Sequence, residues 1–368
     1  MTHPARPDAD LPAPAHVDAG RLEVPDKVSV PDPTSEGPVV RMRLTPVRLA
    51  PAVLVLVAAV ALAGCGSKTS STPTSTGSSP TSSSSAGGPG LESVKISGAV
   101  GSSPTVKFDG ATTNTATTSK TVVAGKGPKL HQGDSLIVHT VIADGSTQKT
   151  VANSYTDHQP QVVTLAKSVS SLFLDALVGQ KIGSRVVVYT PASAVFGASG
   201  NPQLGINSTD NVLIVFDLVG QPVDKPDGAR HPSPGWAPTI VSSKGLITGL
   251  DFRSAPKPDG QLRSATLRTG SGPKVKAGQT VFARYLGEVY KGSKPFDQNF
   301  DAQSPTPFQI GVGAVVEGWD KTLVGQHVGA QVVLAIPPKD GYGSKGQPTA
   351  GIKGTDTLYF VVDIVGAA

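Results

Sequence analysis

Residues 315–326 read Val-Val-Glu-Gly-Trp-Asp-Lys-Thr-Leu-Val-Gly-Gln, and two features of this stretch decide the fold. First, Val316 to Val324 is the one segment of the C-terminal part with helical spacing, Trp319 and Leu323 falling four apart on one face. The flanking sequence is strand-like: Gln279 to Tyr285, Gln331 to Ile336, and the β-branched and aromatic run Thr357 to Val365. Many strands and one short helix predict an α+β fold, an antiparallel sheet with a helix packed on one side. Second, the end of the stretch repeats. Leu323-Val324-Gly325-Gln326 matches Leu177-Val178-Gly179-Gln180 at an offset of 146. Gly270-Ser271-Gly272-Pro273-Lys274 matches Gly125-Lys126-Gly127-Pro128-Lys129 at 145. Tyr342-Gly343, Gly346-Gln347-Pro348 and Asp363-Ile364-Val365-Gly366 match Phe196-Gly197, Gly200-Asn201-Pro202 and Asp217-Leu218-Val219-Gly220, again at 146. A period this long means duplication of a whole domain, not a solenoid of short units.

The rest of the chain frames these two copies. At 368 residues and 38% hydrophobic content, it has material for about two cores. Gly and Pro make up about a fifth of it, which suits turn-rich structure and linkers. The single cysteine excludes an intramolecular disulfide and a multi-cysteine metal site. The net charge of +5 comes from dispersed Lys and Arg, a general surface charge and not a nucleic-acid footprint. There is no G-x-S-x-G, no H-E-x-x-H and no Walker glycine loop. His327 is the only histidine of the C-terminal copy and reads as an exposed surface residue. Neither a metal nor a cofactor is therefore expected.

Residues 1–40 are rich in Pro, Asp and Ala without an apolar period, and are expected to be disordered. Residues 41–65 carry Arg41, Arg43 and Arg48, then an apolar run from Leu49 to Ala63, then Gly64-Cys65. That is a secretory signal pattern, short for a membrane span; a single transmembrane anchor is the other reading. Leu62-Ala63-Gly64-Cys65 resembles the bacterial lipoprotein signal, which implies cleavage before Cys65 and acylation of its thiol. Met42 is an alternative start. Residues 66–90, dominated by Ser, Thr, Gly and Pro, form a flexible tether. The folded part then divides into 91–221, a proline-rich linker at 222–236, and 237–368. The composition and lipobox suggest a high-GC, actinobacterial-like source, with the folded body held at the extracytoplasmic face of a cell membrane.

The C-terminal copy carries an aromatic set with one carboxylate: Tyr285, Phe296-Asp297, Phe308, Val315-Val316, Trp319, Tyr342 and Phe360. In order and spacing this set resembles the FKBP-type peptidyl-prolyl cis-trans isomerases, over about residues 270–366. The resemblance implies a half-barrel sheet wrapped around a short helix, with Trp319 as the floor of a substrate pocket. It implies walls from Phe296, Phe308, Val315, Val316 and Phe360, and catalytic roles for Tyr285, Asp297 and Tyr342. Tyr342 would hold a substrate carbonyl, while Asp297 would orient Tyr285 or face the twisted carbonyl. The implied partners are proline-containing polypeptides, with macrolide inhibitors as further ligands. Ala314, Gln347 and Val316 depart from the family pattern, as does the loop 349–356, which lacks Ile-Pro-Pro. The N-terminal copy has Thr140, Phe173, Phe196 and Ile214 for Tyr285, Trp319, Tyr342 and Phe360, and lacks the Phe-Asp pair. It is expected to fold alike and to isomerise poorly, serving as spacer or binding surface. The alternative for the whole chain is a membrane-anchored protein that binds peptides without turnover; a receptor for small solutes suits two small linked domains less well.

Overall fold

The computed structural model describes residues 90–110 and 116–368. The expected signal run, Cys65 and the tether fall outside the described residues. Among the described residues no helix is long and apolar enough to cross a membrane.

Two six-stranded antiparallel sheets follow one another along the chain. The first contains β3 (Thr118–Val123), β4 (Ser135–Asp144), β5 (Lys149–Asn153), β6 (Gln161–Thr164), β7 (Arg185–Pro191) and β8 (Asn211–Gly220), in the order β3-β7-β8-β4-β5, with β6 also on β4. The second contains β11 (Arg263–Thr269), β12 (Thr280–Val289), β13 (Asp297–Gln298), β14 (Thr306–Gln309), β15 (Ala330–Ile336) and β16 (Leu358–Ala367). Its order is β11-β15-β16-β12-β13, with β14 also on β12. The two orders are the same, strand for strand. The irregularities repeat too: the register slips at Thr121/Val123 and at Thr266/Arg268, and at Ile137/Val138 and at Phe282/Ala283. Bulges at matching places mark inherited design, because each sets a local twist.

Each sheet is covered on both faces. One face takes a seven-residue helix, α1 (Ser171–Leu177) in the first half and, after a short α2 (Ala192–Phe196), α3 (Glu317–Leu323) in the second. α3 matches the expected Val316–Val324 with those two valines as caps, and Trp319 and Leu323 are fully buried. The other face takes a β-hairpin that the sequence did not announce: β1 (Val94–Ser97) with β2 (Thr105–Phe108), and β9 (Thr239–Ser243) with β10 (Leu246–Asp251). Strand alternation allots residues to the two faces. On β16, Phe360, Val362 and Ile364 join the helix-side core, while Tyr359 and Val361 join Leu250 and Phe252 on the hairpin side.

The segment 222–236 is not a free tether. Its backbone follows the edge strand β11, with His231 N donating to Leu267 O at 3.0 Å and Thr269 N to Ala229 O at 3.1 Å, and continues to the turn ahead of β15, where Asp227 N donates to Gly329 O at 2.9 Å. This pairing satisfies polar groups that an open edge would present to other chains. His327 is also tied down. It is half-buried, and its Nδ1–H donates to Gly272 O at 2.6 Å, which corrects its reading as a free surface residue.

Candidate functional site: an aromatic cup

On the helix side of the second sheet, three rings meet edge to face around Trp319. The ring centroids lie 4.9 Å from Phe308, 5.4 Å from Phe360 and 5.6 Å from Tyr285, with interplanar angles of 68°, 81° and 86°. Phe296 extends the wall, 5.5 Å from Phe360 at 84°. Such T-shaped pairs set positive ring edges against negative faces and lock the rings beyond simple burial. Val315 and Val316 are buried beside them, whereas Phe296, Phe308 and Tyr342 are half-buried at the rim. The structure thus brings together all nine residues singled out in the C-terminal copy.

The local sequence explains the placements. Gly318 lets α3 sit directly on β15, since a Cβ there would lie 2.7 Å from Ile336 Cδ1. That close approach pushes the neighbouring Trp319 to the cup floor. Asp320 pins the loop ahead of the helix by accepting from Gly311 N at 2.6 Å and Gly313 N at 2.7 Å, which fixes Val315 and Val316. Tyr342 follows a turn anchored by the buried Asp340, which accepts from Lys321 Nζ at 2.8 Å and Lys339 Nζ at 2.7 Å. Asn299 holds β12 where β13 leaves it. Its Oδ1 accepts from Tyr285 N at 2.7 Å, and its Nδ2 donates to Ala283 O at 2.9 Å.

The polar chemistry of the cup is small and specific. Tyr285 donates its hydroxyl to Asp297 Oδ2 at 2.6 Å. Burial, and then this bond to Asp297, raises the Tyr285 phenol well above its ordinary value. Burial also raises the Asp297 carboxyl, with Tyr285 and the Gln298 backbone opposing. Burial, helped by the charge of Asp297, pushes Tyr342 up to about 12, so its phenol stays protonated. Two buried donors, Trp319 Nε1 and Tyr342 Oη, have no hydrogen-bond partner. Buried donors are nearly always paired, so two orphans in one cup ask for an acceptor from outside. Among the described residues no three His, Cys, Asp or Glu side chains converge to hold a metal ion.

Sequence reading missed three contributors. Ile352 is buried in the same cluster. Asn299 acts through backbone bonds that no spacing reveals. Gly287 faces the wall: a Cβ there would come within 2.6 Å of both Phe296 Cζ and Phe360 Cε1. The register of the first sheet shows what the other copy did with the same positions. Ile142 pairs with Ala152 where Gly287 pairs with Asp297. A fully buried isoleucine therefore occupies the equivalent space, and the carboxylate is an alanine. Thr140, Phe173 and Ile214 stand for Tyr285, Trp319 and Phe360, in agreement with the repeat offsets.

The profile of the family described as FKBP-type peptidyl-prolyl cis-trans isomerase matches residues 272–365. An FK506-binding protein of Streptomyces anulatus is 36% identical over 116 residues, covering 32% of this chain and 93% of the relative. FK506-binding protein 4 of Mycosarcoma maydis is 45% identical over 96 residues, and there the match spans only 24% of the longer relative. The crystal structure of a peptidyl-prolyl cis-trans isomerase from Pseudomonas syringae pv. tomato is 30% identical, covers 29% of this chain and 75% of its own, and has a TM-score of 0.26.

Proposed function

This chain belongs to the family of FKBP-type peptidyl-prolyl cis-trans isomerases and is an enzyme of that class; on that premise we propose that the cup around Trp319 turns X–Pro bonds. The pair of unpartnered buried donors, Trp319 Nε1 and Tyr342 Oη, inside an apolar aromatic enclosure carries this reading.

Rotation about a peptide C–N bond costs about 18–20 kcal/mol because it breaks amide resonance. The twisted state has lost that resonance and much of the planar amide's dipole. An apolar cup solvates the planar form poorly and the twisted form comparatively well, which is differential binding of the transition state without covalent chemistry. Phe296, Phe308, Val315, Val316, Trp319 and Phe360 supply that surface. Asp297 consumes the Tyr285 hydroxyl, so its role is to hold the Tyr285 ring edge-on to Trp319 and Phe308. Tyr342 then remains to donate to a substrate carbonyl, and its raised pKa keeps that proton in place across the physiological range.

The substrates proposed are proline-containing segments of exported polypeptides, with macrolides as competing ligands. Residues 91–221 and 237–368 form the two domains, the first without turnover because Ile142 and Ala152 replace the space and the carboxylate. Lipid on Cys65 would hold both at the extracytoplasmic face of the membrane; a Cys65→Ala chain that still partitions with membranes would refute that anchor. The test of the site is Tyr342→Phe in the full chain, assayed on a proline tetrapeptide. Loss of one hydrogen bond worth about 1–1.5 kcal/mol slows kcat/KM about tenfold with little change in Tm. An unchanged rate would remove Tyr342 from the mechanism.

A further inference from the structure

The face of the second sheet opposite the aromatic cup holds a cavity of about 680 Å³, whose charged lining is Asp224, Asp301 and Asp363 together with Lys225 and Arg284, with Phe300 and Gln331 beside them. Asp363 is 6% exposed, and its carboxylate accepts from Gln331 Nε2 at Oδ1, at 2.8 Å. Arg284 sits opposite it across the ladder, but turns its guanidinium to the carbonyls of Asn299 and Ala302, at 3.3 and 2.9 Å. A buried carboxylate without a cation is expensive to ionise.

The first half of the molecule shows the same place filled. There Asp217, the counterpart of Asp363, takes a bidentate pair from the fully buried Arg185, Nε to Oδ1 and Nη2 to Oδ2, both at 2.6 Å. Tyr155 adds its hydroxyl at 2.5 Å. The rest of the guanidinium is capped by the carbonyls of Gly98, Ala99 and Ser102, from the turn of the β1–β2 hairpin, at 2.8, 3.0 and 3.0 Å. In the second half Gln331 stands for Arg185 and Phe300 for Tyr155. Two substitutions have therefore taken away the bidentate cation and the phenol donor while keeping the carboxylate; Arg284, which stands where the first half has His139, faces Asp363 across the ladder but gives its hydrogen bonds to loop carbonyls. What remains is a cavity where the other copy has an arginine side chain.

We propose that this cavity is a second binding site, distinct from the aromatic cup, for a guest that presents a guanidinium group to Asp363. The fork of a guanidinium matches a carboxylate bidentately, as Arg185 does in the first half, and a point-charge ammonium does not. Asp301 and Asp224, which line the same cavity, add carboxylates that favour a cationic guest. Burial pushes the Asp363 carboxyl up to about 7, with Gln331, Arg284 and Arg268 opposing, so this carboxyl is readily protonated until such a guest arrives.

The test is a titration of the full chain, followed by NMR at Gly245, Ile247 and Gln331. The probes are N-acetyl-arginine amide, a capped Ala-Arg-Ala peptide and their citrulline counterparts. Saturable shifts with the arginine probes, at least tenfold weaker in Asp363→Asn and absent with citrulline, support the site. Saturation by the amide assigns a small guanidinium compound; saturation by the peptide alone assigns an arginine of a polypeptide. Gln331→Arg should supply the cation internally, raise Tm and abolish binding. No saturation by either probe, equal shifts with citrulline, or unaltered binding in a folded Asp363→Asn chain would overturn the proposal.

Discussion

Replacing Gly287 by alanine adds one methyl group to β12, at the point where two rings of the aromatic cup close on the strand. The added Cβ would lie 2.6 Å from Phe296 Cζ and 2.6 Å from Phe360 Cε1, against ordinary carbon contacts of about 3.5–4.0 Å. About an ångström must be found. Phe360 is fully buried on the central strand β16 and cannot give, whereas Phe296 is half-buried just ahead of the two-residue strand β13 and can. The variant should therefore push Phe296 away from Phe360 and open the wall beside Asp297, which follows it directly. Overpacking by a methyl group costs about 1–3 kcal/mol, or roughly 3–10 °C in Tm for a domain of this size. The catalytic effect should be larger than the stability effect, because the wall moves and the fold does not. We expect kcat/KM for a proline tetrapeptide to fall more than tenfold at 10 °C, with the circular dichroism spectrum retained. Wild-type turnover together with a lowered Tm would refute the placement of Phe296 in the site. Wild-type turnover and wild-type Tm would refute the packing itself.

The other predictions concern the two carboxylates on the hairpin side. Arg185→Ala should destabilise the first domain by about 3–5 kcal/mol, since it strands Asp217 in a dry site and releases the β1–β2 turn; a loss of unfolding free energy under about 1 kcal/mol in denaturant titrations would contradict this. Isomerase turnover by the second domain should be unaffected by that change. Asp363 has its folded pKa raised from 3.8 to about 7, chiefly by burial, so it is protonated in both states at low pH. As pH rises from about 4 to 7, the unfolded chain has released a proton that the folded chain still holds. Stability is therefore lost across that window, by a few kcal/mol in total. Denaturant titrations should show that slope in wild type, and a flatter one in Asp363→Asn.

The sequence carried the helix side of each domain well, because its signals are local. Trp319 and Leu323 lie on one helical face, and the terminal strand is an unbroken β-branched and aromatic run. The aromatic set was legible for the same reason: large apolar residues in a fixed order leave a pattern. The hairpins were not, since β9 carries Thr, Ser and exposed valine and has no strict alternation; only the sheet beneath turns Ile240, Leu250 and Phe252 inward. The docking of 222–236 on β11 was hidden because backbone hydrogen bonds need no particular side chain. Gly287 and Asn299 act through one missing methyl group and through bonds to main chain, and neither leaves a spacing to read. The exchange of Arg185 for Gln331 is visible in the aligned repeats, but its meaning appears only when the sheet shows Asp217 and Asp363 facing those positions.

The central claim is that turnover resides in the cup of the second domain. Its most direct test is the cis–trans exchange rate of a proline peptide with the full chain, beside an Asp297→Ala, Tyr342→Phe double variant and a matched Phe196→Ala variant of the first domain. The account predicts acceleration by wild type, acceleration unchanged in Phe196→Ala, and a loss of at least a hundredfold in the folded double variant. Turnover that survives the double change, or that falls with Phe196→Ala instead, would contradict it.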